Sequence, residues 1–416
     1  MQKKISILLF CISLYFLYTS LNSILGFQCN KILSANTSTQ LSAAKEITYS
    51  AKELGCDSSV ATPSSLYSKA YCVMDADTKR VLFGKNAEEK MPMASTTKIM
   101  TCILALEEGN LSDTVTVSSY ASTMPDVQLN IREGETYLLK DLLYSLMLES
   151  HNDTAVAIAE HLGGSVEGFA EMMNEKAMEL GCTNTNFVTP NGLDHKEHYT
   201  TAAELCMIAA YAIQNPDFLE IIQTPSYSFQ EQSGSRSFTV NNHDAFLSQY
   251  EGAMGIKTGF TNDAGYCFSG AAKRDGQTLV SAVLACGWPP NKSYKWSDTK
   301  KLMDYGFEAY ETTTIPLCQD KINLSVEEGK RSQLLLKRNS QEKLTLPLTA
   351  SDVITVKYQL PEKIKAPVRA GDIIGYEIYS VNGTPCLEIP LTAKNDIQEM
   401  DYFYWIEMLS QLFLGS

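Results

Sequence analysis

The chain has 416 residues, 44% of them hydrophobic, which is enough for two or three domains with ample buried core. Its formal charge is −14, from 34 Lys and Arg against 48 Asp and Glu. Without a long basic run, the chain lacks the cationic surface that phosphate neutralisation needs, so nucleic acid is excluded as an expected partner.

At the start, Lys3 and Lys4 precede an apolar stretch over residues 5–18, the pattern of an export signal. Residues 1–29 read as a signal peptide or an uncleaved signal anchor, since apolar residues resume over 24–27. Either reading places the remainder outside the cytoplasm. Residues 30–65, rich in Ser, Thr, Ala and Asn, are expected to be a linker. A hairpin follows over 70–74 and 80–83, then a helix over 95–106 that is apolar on nearly every side and therefore buried. Helical periodicity dominates residues 138–205, with Leu142, Leu143, Leu146 and Met147 recurring on one face. Strand signals return over 255–258, 265–269 and 278–284, the last two joined by a turn at Asp275 and Gly276.

Strands at both ends with helices between them imply an α/β domain over residues 66–313: one antiparallel sheet formed by the terminal strands, flanking helices and an inserted helical lobe. Residues 314–394 carry two-residue alternation, as in Ile322, Leu324 and Val326, and read as a small all-β domain. Residues 395–416 gather Tyr402, Phe403, Trp405, Ile406, Met408 and Leu409 in a stretch too short and interrupted to span a bilayer. An amphipathic helix at a membrane surface fits it, with a helix docked on the domain as the alternative. It carries Asp401 and Glu407 and no Lys or Arg, so attraction to anionic lipid is not implied.

Eleven scattered cysteines form no C-x-x-C pair, and neither a disulfide framework nor a metal site is expected. His195 and His198 lie close in sequence but lack a third ligand nearby, and read as loop residues. No cofactor is implied.

Three short motifs appear in order: Ser95-Thr96-Thr97-Lys98, Ser150-His151-Asn152 and Lys257-Thr258-Gly259. Singly, each has a bland explanation: a helix-capping serine with a solvated lysine, a cap for the next helix, and an exposed lysine before a turn. Together they are the S-x-x-K, S-x-N and K-T-G set of penicillin-binding proteins and class A β-lactamases. Ser95 sits at the positive end of the apolar helix, and Lys98 follows three positions later on the same face. Desolvation among Ile99, Met100, Ile103 and Leu104 favours a neutral lysine amine, which can act as a general base toward the serine. Ser150 would relay a proton to the leaving amine, and Asn152 would steady Lys98 and substrate. Lys257 and Thr258 offer a cation and a hydroxyl to a terminal carboxylate, and Gly259 leaves room for substrate backbone at the strand edge.

With these motifs and the longer runs around them, including residues 92–101, 190–194 and 255–261, the chain resembles the low-molecular-mass penicillin-binding proteins, the serine-type D-alanyl-D-alanine carboxypeptidases. The resemblance implies the penicillin-binding, β-lactamase-like transpeptidase fold, followed by that family's β-rich C-terminal domain and membrane-surface helix. It implies cleavage of the terminal D-alanine from peptidoglycan stem pentapeptides through a Ser95 acyl-enzyme, and covalent capture of β-lactams. The oxyanion is then expected between the backbone N–H groups of Ser95 and Phe260. Phe260 stands where some members have His, and Lys292 and Lys295 lie where an arginine often binds carboxylate. A β-lactamase would need a further base for fast deacylation, and an inactive wall-binding scaffold would not need the intact motif set; both are alternative functions.

Overall fold

The computed structural model describes residues 46–125, 127–316, 322–338 and 344–414. The expected signal segment, 1–29, and the start of the expected linker lie outside them. In chain order the elements that position the site are β1 (Ile47–Ser50), β2 (Ala70–Asp75), β3 (Val81–Lys85), α1 (Lys98–Glu108), β4 (Thr114–Thr116), β5 (Thr136–Leu138), α2 (Leu139–Leu148), α3 (Asn152–Gly163), α4 (Val166–Glu179), α5 (Ala202–Ala212), α6 (Pro216–Gln223), β6 (Ser226–Gln230), β7 (Ser237–Asn241), α7 (Phe246–Gln249), β8 (Ala253–Thr261), β9 (Gly265–Arg274), β10 (Gln277–Leu284) and α8 (Tyr294–Ala309).

β2 and β10, distant in sequence, pair antiparallel with Val280 opposite Met74, and the sheet runs β3-β2-β10-β9-β8. The terminal strands thus share one sheet, as expected from the order of elements. Period-two alternation assigns its faces. Cys72, Met74, Val280 and Ala282 pack into the core beneath the helical lobe, whereas Tyr71, Val73, Leu279 and Val283 pack with Leu302 and Met303 of α8. Covering both faces leaves every residue of β2 buried. Helix α1 is buried from Lys98 through Ala105, and packs between the sheet side and α2, α3 and α5. The sheet order leaves β8 at one edge.

The C-terminal part comprises β11 (Glu311–Ile315), β12 (Asn323–Glu327), β13 (Gln333–Arg338), β14 (Leu344–Leu348), β15 (Val353–Gln359), β16 (Lys363–Lys365), β17 (Ile373–Val381), β18 (Thr384–Ala393) and the helix α9 (Tyr402–Leu414). Its seven-stranded sheet has the order β1-β15-β17-β18-β13-β12-β16, with β11 and β14 forming a separate ladder. Two features depart from the expected boundaries. Ile47–Ser50, inside the expected linker, is an edge strand paired with β15, and Ala51 and Cys56 are buried beside it. Four alternating residues are too few to signal a strand locally; their partner lies some three hundred residues further on. β11 straddles the expected boundary at 313 and pairs with β14, so the consecutive strands of the β domain begin at residue 311. Inside it, Glu377 is fully buried and paired with Arg338, and also accepts from the Tyr379 hydroxyl at 3.1 Å. Removing Arg338 would strand that carboxylate.

Candidate active site

Ser95 lies on one 3₁₀ turn, Ala94–Thr97, that continues into α1 at Lys98. Ser95 therefore precedes the regular helix by a single turn. Ala94 enters that turn at φ 49°, a conformation that costs a non-glycine residue about 1–3 kcal/mol. Ser150, at φ 69°, carries the same kind of strain in the second motif.

Lys98 is fully buried. Its Nζ lies 3.0 Å from Ser95 Oγ, 2.8 Å from Asn152 Oδ1 and 2.7 Å from the Asn191 carbonyl oxygen. Burial, reinforced by the nearby Lys257 and opposed by Asp153, holds its amine well below the usual lysine range. A neutral amine has two N–H donors and one lone pair. Asn152 Oδ1 and Asn191 O are acceptors and take both donors, which leaves the lone pair for the Ser95 hydroxyl proton. The Asn152 amide is oriented for this, because its Nδ2 donates to Pro125 O at 3.1 Å.

Asn191 is a participant that motif reading alone did not single out. Its carbonyl reaches Lys98 because Gly192, at φ 83°, lets the loop fold against the nucleophile turn; a Cβ there would stand 2.0 Å from Ala94 O. Thr101 Oγ1 donates to Pro190 O at 2.6 Å and fixes the same loop. His198 is also structural. Its Nδ1 accepts from Val188 N at 3.0 Å, and its Nε2 meets Thr97 Oγ1 at 2.8 Å. Burial pushes its pKa down to about 4, so it serves as a neutral brace beneath the Ser95 turn.

The second motif follows α2. Ser150 does not cap α3: the first residue outside that helix is His151, and no side chain caps it. The Ser150 Oγ is buried and, among the described residues, has no hydrogen-bond partner. A buried hydroxyl with no partner is costly and suited to a group that arrives with substrate.

The third motif lies on the edge strand. Gly259 abuts the nucleophile turn: a Cβ there would come within 2.9 Å of Ser95 N and 3.1 Å of Thr96 N. Tyr266 sits opposite Phe260, and its own N–H and C=O are both used on the other side, by Gly287 O at 2.9 Å and Cys286 N at 2.7 Å. Backbone groups of one strand residue point the same way, so the N–H and C=O of Phe260 are directed outward, on the side away from β9. Thr258, two positions earlier, shares that direction. Gly259 thus brings the Phe260 end of β8 against the turn that carries Ser95. Lys257 is buried and its Nζ donates to Thr258 O at 3.3 Å. Burial brings its pKa down to about 8, against an opposing pull from Asp244. Of the other two lysines considered for carboxylate binding, Lys292 is exposed, whereas Lys295 is buried over the Tyr266 and Trp296 rings and donates to Lys292 O at 2.8 Å.

A buried lysine amine of lowered basicity beside a serine hydroxyl, next to an edge strand that carries a buried lysine and a hydroxyl, fits a serine acyl-transfer enzyme that uses a lysine base. Comparison with known proteins narrows the class. The family model for D-alanyl-D-alanine carboxypeptidases matches residues 57–287, and the one for the C-terminal domain of penicillin-binding protein 5 matches residues 310–399. The chain belongs to the D-alanyl-D-alanine carboxypeptidase family, the serine peptidases of the penicillin-binding type, and its activity is that of a D-alanyl-D-alanine carboxypeptidase. It is 30% identical to D-alanyl-D-alanine carboxypeptidase DacF of Bacillus subtilis, across 82% of this chain and 88% of that protein. Identity to DacA of Haemophilus influenzae is 28%, with the same coverage. Among solved structures, penicillin-binding protein 5 of Haemophilus influenzae superposes with a TM-score of 0.67 at 27% identity, covering 82% of this chain and all of that one. The Streptomyces K15 DD-transpeptidase, at 33% identity, covers 60% of this chain with a TM-score of 0.56.

Proposed function

We propose that Ser95 is the nucleophile of this carboxypeptidase and Lys98 its general base. The supporting observation is the Lys98 amine, fully buried, with two acceptors on its donors and Ser95 Oγ at 3.0 Å. In this reading Lys98 takes the hydroxyl proton as Oγ attacks the carbonyl between the two terminal D-alanines of a stem pentapeptide. The oxyanion is held by the N–H groups of Ser95 and Phe260, each worth roughly 3 kcal/mol when a comparable donor is removed. Collapse expels D-alanine, its amine protonated from Lys98 through the Ser150 hydroxyl. Water, deprotonated by Lys98, then attacks the ester carbonyl, and Lys98 returns the proton to Ser95 Oγ as it leaves. Asn152 orients Lys98 and the substrate backbone; Lys257 and Thr258 hold the terminal carboxylate, with Gly259 admitting the peptide beside β8.

A β-lactam ring entering the same site would acylate Ser95, and its ring prevents a leaving group from departing. Incubation with benzylpenicillin followed by peptide mass mapping should place one adduct on the peptide carrying Ser95. An adduct elsewhere, or none alongside absent D-alanine release, would leave only the scaffold function.

We further propose that the catalytic part works outside the cytoplasm and that α9 rests on the outer face of the membrane. Tyr402, Phe403, Trp405, Ile406, Met408 and Leu409 are all exposed, with Phe403 at 77%. The root of the helix is tied down by Asp401, which pairs with Lys330 at 3.2 Å and accepts from Tyr404 N at 2.7 Å. Among the described residues no helix is long and apolar enough to cross a bilayer. The full chain should float with phosphatidylcholine vesicles, and residues 46–399 alone should not; equal flotation of both would count against α9 as the contact.

A further inference from the structure

The middle residue of the second motif is used by none of the steps above, yet its ring is buried and faces a polar group at each nitrogen. His151 is 4% exposed. Its Nδ1 lies 2.7 Å from Ser145 Oγ of α2, and its Nε2 lies 3.3 Å from Glu149 Oε2. In the neutral ring with its proton on Nε2, the Ser145 hydroxyl donates to Nδ1 and Nε2 faces the Glu149 carboxylate at ion-pair distance. Burial lowers the His151 pKa, in keeping with that neutral form, while Asp153 and Glu149 oppose the shift and Lys98 and Lys257 add to it.

Glu149 does not end the chain of contacts. Its other oxygen, Oε1, accepts from the backbone N–H of Asn241 at 2.8 Å, and two residues on His243 N donates to Leu148 O at 3.2 Å. Asn241 is the last residue of β7, and the segment after it leads through α7 into β8. One side of the groove is the turn carrying Ser150 and Asn152; the other is β8 with Thr258 and Phe260. Ser145, His151, Glu149 and Asn241 thus form a continuous latch from α2 through the motif turn to the chain that feeds the opposite wall. The latch spans a turn whose first residue, Ser150, is held at φ 69°. Strained turns persist where their surroundings over-determine them.

We propose that His151 is a positioning residue for the acyl transfer: through Glu149 it locks the Ser150 and Asn152 turn to the segment leading into β8 and so fixes the spacing of the two groove walls. This rests on the assignment of Ser95, Lys98, Ser150 and Asn152 above. Loss of the latch should misplace Ser150 and Asn152, and with Asn152 one of the two acceptors that orient Lys98, while leaving Ser95 and the oxyanion donors in place. A misplacement of about 1 Å can cost on the order of a hundredfold in rate. The effect belongs in kcat and in the acylation rate rather than in KM, because the carboxylate-binding wall is untouched.

The test uses the full chain with diacetyl-Lys-D-Ala-D-Ala and, separately, benzylpenicillin. His151→Ala should lower kcat and the penicillin acylation rate by about tenfold or more, with KM within about threefold of the parent. His151→Gln, which keeps an N–H donor reaching for Glu149, should restore most of the loss. Glu149 is partly exposed, so Glu149→Ala opens no core cavity and tests the latch even where His151→Ala does not fold. It should give the same split, and the double variant should be no worse than the poorer single one. Rates within twofold of the parent in Glu149→Ala would overturn the latch, as would losses in the two single variants that simply multiply. A parent that releases no D-alanine would instead overturn the assignment of the nucleophile and base.

Discussion

Ser95→Ala should lower D-alanine release from diacetyl-Lys-D-Ala-D-Ala by at least about 10⁴-fold and abolish covalent attachment of benzylpenicillin, since no other group can form the ester. Its expected signature is a fall in kcat with substrate binding retained, because Lys257, Thr258 and the outward-facing groups of β8 are unchanged. The N–H of residue 95 also survives, so the oxyanion space keeps both donors. Folding should be nearly unaffected: Ser95 is only half-buried, and Lys98 retains its bonds to Asn152 Oδ1 and Asn191 O. A melting temperature close to the parent's, corresponding to less than about 1 kcal/mol, would show that lost activity is lost chemistry. Residual release above about 1% of the parent rate would mean that Ser95 is not the attacking group. Isothermal titration with the peptide, on the folded Ser95→Ala chain, separates binding from turnover.

How much of this was legible in the sequence follows from the range of the interactions involved. Local chemistry read well. The hairpin of β2 and β3, the buried α1 and the strands β8, β9 and β10 each announce themselves by period and turn residues within a window of a dozen positions. The three motifs do so as well, because their spacing is fixed by the helix turn or the strand that carries them. Helix α8 was not legible: it buries Lys295, Asp298 and Thr299 beside Leu302 and Met303, so no clean apolar stripe marks it. The buried Asp298 makes sense only in three dimensions, where it accepts from the N–H groups of Tyr67 and Ser68, both at 2.8 Å, and docks the incoming chain. Asn191 acts through its backbone, which no residue-type pattern can reveal. Its neighbour Gly192 could have hinted at the close approach, since glycine is the residue that tolerates φ 83° against another backbone. The strand β1 was missed for the opposite reason: its sequence is weakly patterned and its identity as a strand comes wholly from β15.

The second large effect concerns the base, and here charge and basicity can be separated. Lys98→Arg keeps a cation near Ser95 and replaces a group that titrates with one that stays protonated at any workable pH. If Lys98 merely supplied positive charge, the variant would be tolerated. As a general base it cannot be, and kcat/KM should fall by about 10²–10⁴-fold, with penicillin acylation slowed in parallel. The pH profile of the parent carries the same logic with a definite sign. Activity requires Lys98 neutral, so it rises as pH climbs through the lowered pKa of that amine. It requires Lys257 charged to hold the terminal carboxylate, so it falls again as pH passes about 8, where burial has brought that group. The result is a bell whose acid limb belongs to Lys98 and whose alkaline limb belongs to Lys257. Lys257→Arg should abolish the alkaline limb up to pH values where the protein itself unfolds, whatever it does to the plateau. An alkaline limb unchanged in that variant would remove Lys257 from carboxylate binding, and near-parent activity in Lys98→Arg would remove Lys98 as the base. The charge on Lys257 helps to lower the Lys98 pKa, and because Lys257→Arg keeps that charge, the variant tests the alkaline limb without removing this influence on the acid one.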